Sequence, residues 1–196
     1  MKRNLLLIFL LLNSAFAFGQ NGLDVKGYFG FSGTRVGPTS DFAEGVSLKV
    51  KEFKEFGLMF SSGIGGKFRL NGGLSYSYGK VWIQCDLCSR SDLANPYNQD
   101  FRMLSFPVFA EYELTNFFFV AAGPLLDFHL SEGNNLADQS GLGYLVGLGG
   151  KVKTEKFTFS VFPNYKRHAL FPFDKPEGSK SFLQEFGLQL GVGYLL

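Results

Sequence analysis

From Phe182 to Leu196 the even-numbered positions read Phe182, Phe186, Leu188, Leu190, Val192, Tyr194 and Leu196, broken only by Gln184. The odd positions between them, Leu183, Glu185, Gly187, Gln189, Gly191, Gly193 and Leu195, are mostly small or polar. A period of two puts unlike residues on the two faces of a strand. Such a strand must turn its greasy face toward a core or toward lipid, and composition favours lipid. Aromatic residues make up 17% of the chain, with 24 Phe and 25 Gly, while charged residues reach only 18%. Glycine and aromatics with few charges suit a sheet that faces acyl chains on one side. A soluble α/β enzyme of this size would carry more charge, more Ala and more Glu.

Beyond the N-terminal segment, no apolar run approaches the ~20 residues of a membrane helix. Open sheet edges cannot be satisfied in hydrocarbon, so a mature chain resident in a bilayer has to close into a barrel. The N-terminus reads as an export signal. Met1, Lys2 and Arg3 are a basic start, Leu5 to Leu12 is an apolar run, and Ala15-Phe16-Ala17 and Ala17-Phe18-Gly19 are small-x-small cleavage sites. Residues 1–19 are therefore expected to be a signal peptide and 20–196 one outer-membrane β-barrel, about 177 residues that suit a single domain. No cysteine lies near the cut, so a lipoprotein is not expected. Removal takes Lys2 and Arg3 and no acid, which leaves 17 basic against 17 acidic residues. Net charge thus gives no argument for nucleic-acid binding.

Eight segments carry period-two character: Leu23–Ser32, Glu55–Ile64, Phe68–Ile83, Phe101–Leu114, Phe117–Leu130, Leu142–Lys153, Phe157–Lys166 and Phe182–Leu196. The connections between them alternate. Those at Gly65–Lys67, Thr115-Asn116 and Thr154–Lys156 are short, whereas Gly33–Lys54, Gln84–Asp100, Ser131–Gly141 and His168–Ser181 are long. Short turns on one rim and long loops on the other are the pattern of an eight-stranded antiparallel up-and-down transmembrane barrel in a bacterial outer membrane. An even strand number brings both termini to the periplasmic rim. Tyr112, Phe117, Phe157 and Tyr194 then fall near the short-turn rim, and Trp82, Tyr144 and Tyr165 near the long-loop rim, as two aromatic belts. Within Gly45–Phe53, Val46, Leu48 and Val50 keep the parity of Phe56, Leu58 and Phe60. That segment extends the second strand, or forms an extra hairpin that would make ten strands. Pro107, Pro124 and Pro163 fall inside strands and are each expected to mark a bulge, since proline removes a ladder donor.

The stretch Phe101-Arg-Met-Leu-Ser-Phe-Pro-Val-Phe-Ala-Glu-Tyr-Glu-Leu114 resembles the "yLeiPlllky" strand of the PorT-like outer-membrane β-barrel family. Phe117 to Phe128, with Ala122-Gly123-Pro124, is similar to the strand that follows it there, and Gly141 to Gly150 to its "GlxxGlG" segment. The chain departs from the family at Pro163-Asn-Tyr-Lys-Arg-His168, where "rYsyGL" is usual, and it ends in Leu196 where outer-membrane strands often end in Phe. The resemblance implies location and fold and carries no catalytic motif.

The polar faces of the segments gather Lys26, Arg69, Glu111, Glu113, Asp127, His129, Lys151 and Glu185, with Asp24, Glu55, Lys153 and Lys166 beside them. Buried charges have to be paired and hydrogen-bonded, and a barrel of eight strands is just wide enough for side chains to fill. These residues are expected to form an interior ion-pair network in place of an open pore. Cys85 and Cys88 make a C-x-x-C in a surface loop with no histidine beside it, so a disulfide is expected before zinc or redox chemistry. Asp127, His129 and Ser131 share one face near the outer rim, and His168 lies at the outer end of a strand, but the chain has His168-Ala169-Leu170-Phe171 where lipid A deacylases have H-x-S-N. No metal or cofactor is expected, and Gly147-Leu-Gly149-Gly150 is a strand glycine cluster with no helix after it.

These features lead to a non-enzymatic outer-membrane protein of a Gram-negative-type envelope. It would be embedded in outer-membrane lipid, would not bind nucleic acid, and would act through its long loops on an envelope or secretion-system partner, or for envelope integrity. Two other readings remain open at this stage. One is an envelope-lipid acyl hydrolase or transferase using His129, Ser131 or His168. The other is a soluble lipocalin-like barrel, which would need its apolar side chains inside.

Overall fold

The computed structural model describes residues 22–37, 46–85, 97–131, 138–173 and 182–196. The expected signal peptide, residues 1–19, lies outside them. Eight strands follow one another: β1 (Leu23–Val36), β2 (Val46–Gly65), β3 (Phe68–Cys85), β4 (Tyr97–Glu113), β5 (Phe118–His129), β6 (Gly141–Lys153), β7 (Phe157–Pro172) and β8 (Leu183–Leu195). Each pairs antiparallel with the next, and β1 pairs with β8 from Asp24↔Leu195 to Val36↔Leu183, which closes the sheet into a barrel.

Local chemistry makes the three short turns. Gly65 and Gly66 take positive φ, 126° and 58°, between β2 and β3, a conformation that costs glycine little. Thr115 Oγ1 accepts from the amides of Phe117 (3.2 Å) and Phe118 (3.0 Å), and Thr154 Oγ1 accepts from that of Phe157 (3.0 Å). The strands outrun the sequence expectation at the opposite rim. β2 begins at Val46, so Gly45–Phe53 contributes no extra hairpin, and β7 runs through His168 to Pro172.

That lengthening involves two irregularities. Between Lys51 and Lys54 the register of β2 on β3 shifts, and Glu52 sits there with φ 54°. Between Leu142 and Tyr144 the register of β6 on β7 shifts, with Ala169 at φ 49°. Both are β-bulges in which a residue with a side chain occupies the left-handed region. The first reverses the parity of β2: Val50 and Phe53 are both buried, while Lys51 and Lys54 are both exposed. The shared parity of Val50 and Phe56 in the sequence therefore does not place them on one face.

The three strand prolines do not mark bulges. Pairing runs in unbroken register through Pro107↔Leu125, Pro124↔Tyr144 and Pro163↔Leu188. Each residue of an antiparallel ladder directs its N–H to only one neighbouring strand, so proline leaves the other ladder whole and interrupts the sheet without shifting it.

Alternation sorts the side chains. Phe106, Val120 and Leu190 lie on the outer wall with 39%, 38% and 46% of their surface exposed, whereas Glu111 and Lys151 lie inside with 4% and 5%. Phe29, Phe56, Phe60, Leu74, Leu148, Phe159 and Val192 extend the apolar outer wall around the barrel. At the short-turn rim Phe68 meets Tyr112 and Phe157 meets Tyr194. At the other rim Tyr144 meets Tyr165, and Trp82 lies beneath Lys51.

Candidate functional site

The lumen is the candidate site, and it is built in alternating layers. Nearest the short turns is a charged layer. Lys151 Nζ pairs with Glu111 and, at 2.6 Å, with Glu113, and Lys153 Nζ reaches the same Glu113 Oε1 at 2.8 Å. Arg69 donates from Nε to Ser61 Oγ at 3.0 Å and from Nη2 to Ser61 O at 3.3 Å. Lys26 lies among Asp24, Glu111, Lys151 and Arg69.

Above it lies an apolar layer of Tyr28, Met59, Phe109, Phe119, Ala121, Leu125, Leu145 and Phe162, all buried. The Phe162 ring is 6.0 Å from Phe109 and 5.4 Å from Phe119. Inward glycines make room for these rings. A Cβ on Gly149 would strike the Phe119 ring, one on Gly147 the Phe162 ring, one on Gly123 the Cβ of Phe109, and one on Gly57 the Tyr28 ring. Small residues opposite large ones fit the narrow interior of a small barrel. The glycine cluster of β6 therefore serves packing.

A second charged layer follows, and it is fully enclosed. Lys166 Nζ reaches Glu55 Oε2 at 2.6 Å and Glu185 Oε1 at 3.1 Å. His168 lies between two carboxylates, Nδ1 2.8 Å from Asp127 Oδ2 and Nε2 2.9 Å from Glu185 Oε1. Only the imidazolium has N–H donors on both nitrogens for two such acceptors. Ser105 donates to Asp127 at 2.6 Å, Ser32 to Glu185 at 2.7 Å, and Tyr28 and Gln189 to Glu55 at 3.0 and 3.1 Å. Each of the five charged groups thus has at least two partners, as a buried ionic cluster requires.

Val50, Phe53, Val81, Phe101, Met103 and Leu183 form the last layer and close the lumen toward the long-connection rim. Gln139 is folded in beside them, and its Oε1 accepts from the Leu183 amide at 2.8 Å.

The expected network is thus two clusters with an apolar layer between them. Lys26, Arg69, Glu111, Glu113 and Lys151 belong to the first, and Asp127 and Glu185 to the second. His129 belongs to neither. Its Nδ1 lies 3.6 Å from Asp138 Oδ1, and its ring lies 5.0 Å from Phe101 in the closing layer. It stands one inward position above Asp127, whose carboxylate is occupied by His168 and Ser105. Ser131 Oγ is held by the backbone of Arg102, so Asp127, His129 and Ser131 do not converge. Of the C-x-x-C, Cys88 lies outside the described residues and only the backbone of Cys85 is described, at the end of β3.

The same architecture occurs in solved outer-membrane proteins. OprG of Pseudomonas aeruginosa superposes with a TM-score of 0.58 at 13% identity, over 90% of this chain and 96% of its own. AlkL, solved by solid-state NMR in lipid bilayers, gives 0.57 at 14% identity, over 90% of this chain and 91% of its own. Ail of Yersinia pestis is more distant, at 0.46 and 15% identity, over 90% of this chain and 100% of its own. At these identities the likeness is one of fold: a small closed antiparallel barrel. No family model matches the chain, and no curated protein matches it.

Glu55 and Lys166 lie in the interior network as the sequence leads one to expect, whereas His168, expected at the outer end of a strand, joins it unforeseen. A signal for His168 was present, because it continues the inward parity of Ser160, Asn164 and Lys166. Pro163 and the long apparent connection after it hid that continuation.

Proposed function

We propose that the chain is an integral outer-membrane barrel with a filled lumen. It would be non-enzymatic and would act through the four connections at its long-loop rim, in binding an envelope or secretion partner or in envelope integrity. The observation that carries this reading is the inversion of the sides: an apolar wall outside, with paired carboxylates and lysines inside. A soluble ligand-binding barrel needs the reverse arrangement, because its exposed wall must face water. Charged residues on a lipid-facing wall destabilise such a barrel by about 2–4 kcal/mol at mid-depth, and this wall keeps its cations at the rims. Two apolar layers and two paired charged layers along the lumen argue against a conducting pore, since no water file crosses packed rings at low cost.

The test begins with folding. Urea-unfolded protein diluted into phosphatidylcholine vesicles is expected to insert and to show heat-modifiable gel mobility, and in planar bilayers it is expected to give no steady conductance. Failure to insert removes the membrane reading, and a stable ion-selective current removes the filled lumen. Lipid A acylation should be the same with and without the gene, and a change would replace the non-enzymatic reading. Protease sites placed in the connections 86–96 and 173–182 should be cut on intact cells.

A further inference from the structure

Among the described residues, four outward-facing cations cluster on β2, β3 and β4, while Arg35 of β1 and Arg167 of β7 stand apart in a row through Gln184. Lys54, Tyr78 and Arg102 lie in one cross-strand row over β2, β3 and β4, and Lys51, Lys80 and Asp100 lie in the row above. Directly beneath runs the row Phe56, Tyr76 and Leu104, the top of the apolar wall on these strands. The first cationic row is thus one outward step, roughly 7 Å, above residues that face acyl chains. On β5 and β6 the outward positions near the same rim are Phe128, Leu130 and Leu142.

The bulge at Glu52 builds this patch. In a regular strand, positions 51 and 54 would face opposite sides. The left-handed residue between them, at φ 54°, turns both lysines onto the outer wall. Lys51 stands directly across from Lys80, and like charges facing each other across two strands repel. Aromatic faces hold the long stems: Lys51 Nζ is 3.6 Å from the centre of the Trp82 ring and Lys54 Nζ 5.9 Å from that of Tyr78. Glu52 and Asp100 are the acids here against four cations, and Arg102 reaches Asp100 at 3.2 Å in an exposed pair. A shallow groove of about 350 Å³ is lined by Tyr76, Tyr78, Lys80 and Arg102 together with Glu52 and Asp100.

We propose that this patch is a docking surface for the phosphorylated headgroup of an outer-leaflet glycolipid, held by Lys51, Lys54, Lys80 and Arg102. The inference rests on the membrane reading above. Opposed lysines are relieved by an anion between them, and the patch's height on the wall is that of a headgroup phosphate. The apolar wall below it, Phe56, Leu58, Tyr76 and Leu104, is placed for the acyl chains of the same molecule.

The test uses the full barrel folded in detergent micelles and offered bisphosphorylated lipid A, with native mass spectrometry counting retained lipid. Dephosphorylated lipid A with the same acyl chains is the second probe, and inorganic phosphate is the competitor. The wild type is expected to retain the bisphosphorylated form at least tenfold over the dephosphorylated one. The triple variant Lys51→Gln/Lys80→Gln/Arg102→Gln should lose that preference, while Lys67→Gln/Lys156→Gln at the opposite rim should keep it. Equal retention of the two lipids, or equal loss in both variants, overturns the proposal while leaving the barrel in its membrane. Displacement by millimolar inorganic phosphate alone also overturns it, because the site would then be one for a free anion. A chain that does not fold into bilayers overturns both readings.

Discussion

The two charged layers of the lumen use the same chemistry under different conditions. In the enclosed layer, Lys166, Glu55, Glu185, His168 and Asp127 all have side chains no more than 6% exposed. In the layer near the short turns, Lys151 and Glu111 are 5% exposed, but Glu113 and Lys153 are 25% and 43% exposed. Water screens the second and not the first. A buried pair contributes little relative to an apolar replacement, yet it becomes costly once one partner is missing. An exposed pair matters little either way. The enclosed layer is therefore where a single change should do most harm, and the open layer is where the protein tolerates change.

The sharpest way to break the contrast is Lys166→Met, which strands Glu55 without its cation and leaves Glu185 only His168. Loss of a buried partner costs about 3–5 kcal/mol, and urea titration of the folded, heat-modifiable form in vesicles should show it. A drop no larger than that of Lys153→Met would mean that water reaches the enclosed layer. Next comes the apolar layer that separates the two. Gly149→Val pushes a branched side chain into the Phe119 ring and should cost about 1–3 kcal/mol, as overpacking does. Adding Phe119→Leu should recover part of that loss, and a double-mutant cycle reads the coupling directly. On the open side, Lys153→Met should cost under about 1 kcal/mol, with the loss shrinking further in high salt. The smallest effect expected is at the bulge. Glu52→Gly relieves a left-handed residue and should leave stability within about 1 kcal/mol of wild type or slightly above it, whereas Glu52→Val should lower it in the same titration.

The barrel itself was legible in the sequence because its two signals repeat. Apolar residues recur every second position along each segment, and Gly65-Gly66, Thr115 and Thr154 punctuate alternate connections. The inner layers were harder to read. Phe109, Phe119 and Phe162 share the polar parity of their strands, so alternation alone treats them as noise. Their meaning appears only when Gly123, Gly149 and Gly147 are found opposite them on neighbouring strands. The bulges were hidden for another reason. Neither Glu52 nor Ala169 is a residue that advertises a left-handed conformation, so the parity of β2 was carried unchanged through Lys51–Lys54. His168 likewise gave no local sign of its carboxylate partners, since Asp127 comes from β5 and Glu185 from β8.

The seam between β1 and β8 joins residues from opposite ends of the chain, Asp24 to Leu195 and Val36 to Leu183. Until β8 arrives, β1 and β7 both carry an unmatched edge, and hydrocarbon offers no substitute donors or acceptors for either. On the proposed membrane reading, closure of the barrel therefore depends on β8. Deleting residues 183–196 would discard not one eighth of a wall but the whole vessel, leaving β1 and β7 as open, aggregation-prone edges.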